Sequence, residues 1–300
     1  MNKKVLGVIF MVMAAFGLAV AVFLIKVIQL FTNISPQHIA IWRFIIAAPA
    51  LWIIYFLKEQ PKSLDLKHSW WFSVMGVVLS ISSFSAVFAL QRLSSSIYII
   101  VCFIYPSLVV LYSFFSGSAV PRLFWLGMPL TLFGLLLTTF EFGSVFAIDP
   151  IGLLITIVNA SALAAYMILS GKVFKTVQNK LPGTTIAMSA AMLVGIILIP
   201  FLGIEIPNTL EGWVMLVLLS TIGTVMPFFA MNYGLSLLTT ARGSIIITIQ
   251  PVLTVLLGMI FLNETLTLQQ WIGGGLVILA IILLERSPDR ALTRAVKSES

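Results

Sequence analysis

Charge is what this sequence has least of. Only 9% of its 300 residues are charged and 60% are hydrophobic, and a mean hydropathy of +1.12 leaves too little polar surface to cover a water-soluble core. Lipid is therefore the expected solvent for most of the chain, with no room for a soluble catalytic domain. The single cysteine, Cys102, excludes an intramolecular disulfide framework and a zinc site of cysteine pairs. The two histidines, His38 and His68, lie at segment edges, and no acidic residue falls well inside an apolar run, so a carboxylate proton relay of the usual kind is missing. Ser170-Gly171-Lys172 lacks the upstream glycine spacing and the following hydroxyl of a phosphate loop, which excludes ATP-driven pumping by this chain alone. No cofactor and no metal is expected. The net charge of +7 is spread over loops and a tail, a pattern that orients a chain in a bilayer and is no nucleic-acid footprint.

What the chain has instead is apolar runs. Ten are long enough to cross a hydrocarbon core of ~30 Å at ~1.5 Å per residue: Val5–Ile25, Ile39–Leu57, Trp70–Leu90, Ile97–Phe115, Leu123–Phe140, Pro150–Ser170, Thr184–Leu202, Trp213–Tyr233, Gly243–Phe261 and Leu268–Leu284. Ser35-Pro36 and Asp149-Pro150 place a cap and a proline at helix starts, and Asn208 with Glu211 and Thr267 with Gln270 have capping-box spacing. Lys3 and Lys4 ahead of a run containing Ala19-Val20-Ala21 imitate a cleavable signal, but the run has the length of a retained first helix.

Placing the amino terminus in the cytoplasm puts Lys3, Lys4, Lys58, Lys62, Lys67, Arg122, Lys172, Lys175, Lys180, Arg242, Arg286, Arg290, Arg294 and Lys297 on that side. The other face keeps only Lys26 and Arg92, with Arg43 inside a span. Ten spans with both termini cytoplasmic give this separation, and an odd number scrambles it. The chain also repeats itself. A shift of 146 lays Lys26 on Lys172, Pro36 on Pro182, Trp125 on Trp271 and Gly127 on Gly273; a shift of 145 lays Leu90 on Leu235, Pro106 on Pro251 and Leu111 on Leu256. The expected fold is all-α integral membrane, with ten transmembrane helices as two five-helix repeats, 1–143 and 144–285, and a basic cytoplasmic tail, 286–300. Because five is odd, the second repeat is inverted.

Ser35-Pro36 with Trp42-Arg43-Phe44, Gln250-Pro251-Val252-Leu253, and Leu262-Asn263-Glu264-Thr265-Leu266-Thr267 followed by Gln270-Trp271-Ile272-Gly273 resemble the EamA-type transporters of the drug/metabolite superfamily. Asn263 stands where that family usually has glycine, and the first half has lost the corresponding acid around Ser116-Gly117-Ser118. The resemblance implies a carrier of the bacterial inner (plasma) membrane, often an exporter of amino acids or other small metabolites. It also implies a cavity lined by spans one, three, four, six, eight and nine.

Inverted repeats let a midplane site open first to one side and then to the other, and paired helix interruptions point to that site. Pro106 and Pro251 are such a pair, each freeing a carbonyl about four residues earlier, those of Cys102 and Ile247. Tyr98, Cys102 and Tyr105 share one face of the fourth span, and the equivalent face of the ninth carries Gly243, Ile247 and Gln250. Asn159 and Tyr166 share a face of the sixth span, and Ser80 with Ser83 and Thr221 with Thr224 add hydroxyls. The candidate substrate contacts are Tyr98, Tyr105, Asn159, Tyr166, Gln250 and Arg43. Arg43 either snorkels to the interface or holds a substrate carboxylate, and Lys26 and Lys172 either anchor helix ends or draw anions to the two gates. Glu264 is read as a cap or tether of the last helix. The expected ligand is a small amphipathic or zwitterionic metabolite. The rival readings are a non-transporting scaffold or sensor, which shares the fold, and an intramembrane enzyme, which lacks convergent nucleophile, base or metal ligands at membrane depth.

Overall fold

The computed structural model describes residues 2–58, 68–117, 120, 122–139, 149–262 and 267–285. The expectations for Glu264, for the 141–148 loop, for Ser118 and for the tail 286–300 lie outside the described residues. Among the described residues the chain is helical without strands. Its helices are α1 (Lys3–Phe31), α2 (Pro36–Lys58), α3 (Ser69–Leu90), α4 (Ser95–Cys102), α5 (Tyr105–Phe115), α6 (Arg122–Thr139), α7 (Pro150–Thr176), α8 (Lys180–Leu202), α9 (Leu210–Ser220), α10 (Met226–Leu237), α11 (Thr240–Ile246), α12 (Gln250–Leu262) and α13 (Leu268–Glu285). Eight stretches are long and apolar enough to cross a membrane, and Leu123–Thr138 and Leu268–Leu283 are shorter apolar helices.

The caps follow local chemistry. Asp149 Oδ1 accepts from the N–H groups of Ile151 at 2.8 Å and Gly152 at 3.4 Å, and Thr267 and Gln270 form the reciprocal capping box, at 2.9 and 3.3 Å. Two starts differ from the sequence reading. Thr209, one residue past Asn208, caps α9 by accepting from Gly212 N–H at 3.2 Å. Ser35 turns its hydroxyl away from α2 to donate to Glu205, 2.9 Å away.

Packing repeats between the halves. α7 lies on α3 and against α4 and α5, while α1 lies on α10 and against α11 and α12; α6 packs on α13, and α2 on α8. With no hydrophobic force between helices in lipid, such contacts depend on close approach through small residues. A Cβ added at Gly273 of α13 would stand 2.5 Å from the Gly134 carbonyl of α6, and one at Gly76 of α3 would stand 2.1 Å from the Ala187 carbonyl of α8. Neither position admits a side chain without separating backbones.

The loops gather at two ends. At one, Gln91 donates to Gln37 at 3.0 Å, Arg92 pairs with Asp149 at 2.9 Å, and Ser35 meets Glu205. At the other, Thr176 lies 3.5 Å from His68, and Lys172 and Lys175 share a cavity with Thr239 and Thr240. The unbroken α7, 27 residues long, joins the two ends over ~40 Å.

Candidate substrate pathway

Both marked prolines sit at breaks. Helix α4 ends at Cys102, Phe103 and Ile104 form a turn, and α5 restarts at Tyr105 with Pro106 in its first turn. In the second half α11 ends at Ile246, residues 247–249 tighten into a 3-10 turn, and α12 restarts at Gln250 ahead of Pro251. The missing proline N–H and the ring's clash with the preceding turn account for both breaks. α5 packs on α11, so the two interrupted spans touch.

The break divides the face that the spacing of Tyr98, Cys102 and Tyr105 suggested. Tyr98 and Cys102 stay together: the Tyr98 hydroxyl donates to Asn159 Oδ1 at 3.1 Å and the Cys102 thiol to the same oxygen at 2.9 Å. Asn159 Nδ2 donates to the Ser82 carbonyl at 2.5 Å and lies 3.2 Å from its hydroxyl. Tyr105, beyond the break, is buried and tilts against Phe103, with 5.6 Å between centroids. Gln250 opens α12 half-buried, beside Ile249 and Val252 of the main core cluster that also holds Tyr105.

Tyr166 stands two turns along α7 from Asn159 and belongs to a second node. Its hydroxyl and that of Ser170 donate to Asn232 Oδ1 at 3.1 and 2.8 Å, and Asn232 Nδ2 donates to Thr184 at 3.0 Å. This node ties α7, α8 and α10. Asn232 is a fully buried amide, a type of residue that marks polar contacts between membrane helices, and neither the repeat nor the paired prolines point to it.

Arg43 lies seven residues into α2, ~10 Å along its axis, with its guanidinium carbon 5.2 Å over the Phe44 ring and its Nε donating to Thr224 Oγ1 at 3.2 Å. Thr224 belongs to a π-helical turn, residues 221–225, between α9 and α10. Its hydroxyl also donates to the Leu219 carbonyl at 2.9 Å, bonding that the widened turn permits. The equivalent stretch of α3 is regular helix. Among the described residues no carboxylate pairs with Arg43 and none lies well inside a helix. Ser80 and Thr221 bond carbonyls of their own helices, at 3.0 and 2.7 Å.

The charges flanking the spans are more engaged than sequence suggested. α1 runs on to Phe31, which leaves Lys26 exposed within the helix, just over a turn from its end, and Lys172 holds the corresponding place in α7. Lys172 Nζ lies 4.9 Å over the Tyr112 ring. Arg242, read as a loop cation, is buried in the first turn of α11. At the opposite end Gly203, with φ +76°, ends α8 in a conformation glycine adopts freely. The following chain then brings Glu205 back over α2. Its carboxylate accepts from Ser35 N–H at 2.5 Å and stands 2.9 Å from His38 Nδ1, a close contact not aligned as a hydrogen bond. His38 Nε2 faces the Leu202 carbonyl at 3.0 Å, and Trp42 Nε1 donates to the Glu205 carbonyl at 2.8 Å. The contact with His38, followed by the Ser35 N–H, pulls the Glu205 carboxyl down to about 2, and the Arg92 contact lowers Asp149. No group of three metal-ligating residues occurs among the described residues.

Known proteins agree with this architecture. A solved crystal structure matches with a TM-score of 0.77 at 17% identity, covering 99% of both chains, a likeness of fold alone. Bacillus subtilis (strain 168) has two similar proteins named uncharacterized transporters. YdfC is 24% identical over 80% of this chain and 78% of its own, and YcbK is 25% identical over 84% of each. An uncharacterized transporter of Archaeoglobus fulgidus is 25% identical over 69% of this chain and 73% of its own. The EamA-like transporter family matches twice, over residues 5–140 and 150–286, and with both halves matched the chain belongs to that family of membrane transporters.

Proposed function

We propose that this transporter is a secondary carrier of small amphipathic metabolites bearing a carboxylate, amino acids foremost, and that it exports them across a bacterial inner membrane. The observation that carries the substrate class is Arg43: a guanidinium ~10 Å along the axis of an apolar helix, bonded to one neutral hydroxyl. A fixed cation in a low-dielectric setting favours an anionic ligand, and the planar fork of arginine suits a carboxylate. Tyr105 and Gln250, at the restart of each interrupted span, supply an aromatic face and an amide for the rest of the molecule. Tyr98, Asn159 and Tyr166 bond within the protein and exchange those partners for substrate when the halves move. The export direction rests on family resemblance alone.

In this reading ten spans form two inverted halves, 1–143 and 144–285, with both termini cytoplasmic, and alternating access swaps the packing of α1 on α10 with that of α7 on α3. Pro106 and Pro251 are the hinges. Lacking a carboxylate relay, the carrier runs on the substrate gradient, on exchange or on protonation of the substrate. Purified protein in liposomes, loaded with labelled amino acids and other small carboxylates, is expected to release at least one saturably. Folded protein that releases none of them would overturn the reading and favour a scaffold or sensor.

A further inference from the structure

At the lysine-rich end of α7 a cavity of about 390 Å³ opens between α5, α7 and the start of α11. This is the size of a small-metabolite pocket. Its lining is part polar and cationic, with Lys172 and Lys175 of α7, Tyr112 of α5 and Thr240 of α11, and part apolar, with Val120, Phe124 and Ile168. Among the described residues no aspartate or glutamate lines it. Gly171 shapes the floor, because a Cβ there would lie 2.2 Å from the Thr240 hydroxyl; the bare backbone lets that hydroxyl rest against α7 beside Lys172.

These lysines differ from their neighbour. Lys180 donates to the Phe174 carbonyl at 2.7 Å and to that of Val177, so its ammonium closes the end of α7. Lys172 and Lys175 share the open cavity instead, Lys172 held over the Tyr112 ring. Two ammonium groups, a phenol and a threonine hydroxyl around one space supply donors for an anion, and charge-assisted hydrogen bonds are the stronger kind. Cations that merely orient a chain in the bilayer need neither a cavity nor an apolar wall beside it.

We infer that this cavity is a binding site for an amphipathic organic monoanion, whose charged group sits between Lys172 and Lys175 with Tyr112 and Thr240 donating to it, and whose apolar body lies on Val120, Phe124 and Ile168. Resting on the carrier reading, the site is the docking station for the transported carboxylate at the lysine-rich mouth, next to the Ser170 and Tyr166 node on the same helix. The phosphodiester of an anionic lipid offers the same chemistry and is the other source of the ligand.

The test uses the whole protein in phosphatidylcholine nanodiscs, titrated with indole-3-acetate and with uncharged indole-3-acetamide while thermal unfolding is followed. The acetate should raise the unfolding midpoint and the amide should not. Lys172→Gln with Lys175→Gln should weaken acetate binding at least tenfold, whereas Lys58→Gln, which removes one exposed charge outside the cavity, should leave it within twofold. Equal binding in the double variant, or no preference for the acid over the amide, overturns the site. Repeating the titration with phosphatidylglycerol in the discs separates the sources: competition in the wild type and not in the double variant makes the lipid the occupant, and its absence makes it the soluble carboxylate. Binding without liposome flux would sink the carrier reading and keep the site; flux with unaltered binding in the double variant would do the reverse.

Discussion

The packing of α7 on α3 and α4 and the packing of α1 on α10 and α11 are counterparts in the repeat, yet they are held together differently. The first contains a polar node in which Asn159 joins Tyr98, Cys102 and Ser82. At the places that correspond to Asn159, Tyr98 and Cys102 the second has Met13, Gly243 and Ile247. There the helices close on one another instead. A Cβ at Gly17 would stand 2.8 Å from the Ile222 carbonyl, and one at Gly234 would stand 2.8 Å from the Met11 sulfur. One scaffold is thus fastened by directional hydrogen bonds on one side and by contact of small residues on the other. Only the first kind of fastening offers donors and acceptors that a ligand can take over.

The largest expected effect attacks the close-packed side. Gly17→Leu forces α1 off the π turn and should cost about 3 kcal/mol or more, seen as a lowered unfolding temperature in detergent. The corresponding residue of α7 is already leucine, Leu163, and Leu163→Met should change stability little. Equal losses at the two sites would erase the contrast.

Next in size is the polar node. Asn159→Leu leaves the Tyr98 hydroxyl and the Cys102 thiol without their acceptor and should cost about 2 kcal/mol. Adding Tyr98→Phe, Cys102→Ala and Ser82→Ala rebuilds the node in apolar form and should recover most of that loss, because the side-chain partners are removed together and the Ser82 carbonyl still accepts from the Ser85 hydroxyl. If stability does not return, the node is held by shape and not by hydrogen bonding.

A smaller effect is expected at the Gly203 turn. Because the Glu205 carboxyl is pulled from its usual 4.5 down to about 2, its stabilisation is full above pH 4.5 and drains away as the pH falls toward 2. Glu205→Gln should cost about 1 kcal/mol at neutral pH, given the exposure of the carboxylate. The variant should also lose less stability than the wild type over that acid window. Parallel pH curves for the two proteins would remove Glu205 from the fastening. The smallest effect belongs to the exposed Arg92–Asp149 pair: Arg92→Gln should lower the unfolding temperature least of the variants named, and less again in high salt.

Much of the frame was legible because its causes are local. Proline chemistry placed the breaks at Pro106 and Pro251, side-chain length and spacing placed the Asp149 cap and the Thr267–Gln270 box, and the repeat followed from matched positions such as Trp125 and Trp271. The site was less legible because its chemistry is tertiary. A π turn has no residue signature, so the partner of Arg43 was hidden. Nothing in the order of residues brings Glu205 to His38 across 167 positions; that takes the Gly203 turn and the packing of α8 on α2. Asn159 and Tyr166 share a face of α7 as their spacing requires, but their hydrogen bonds are spent on different neighbours.

The central claim is that Arg43 receives the carboxylate of the transported molecule. Its most direct measurement compares liposome flux of one transported carboxylate with that of its neutral amide, in wild type and in Arg43→Gln, both confirmed folded. The account predicts that the wild type prefers the acid by at least tenfold and that the variant loses most of this preference while still moving the amide. An undiminished preference for the acid in Arg43→Gln would contradict it.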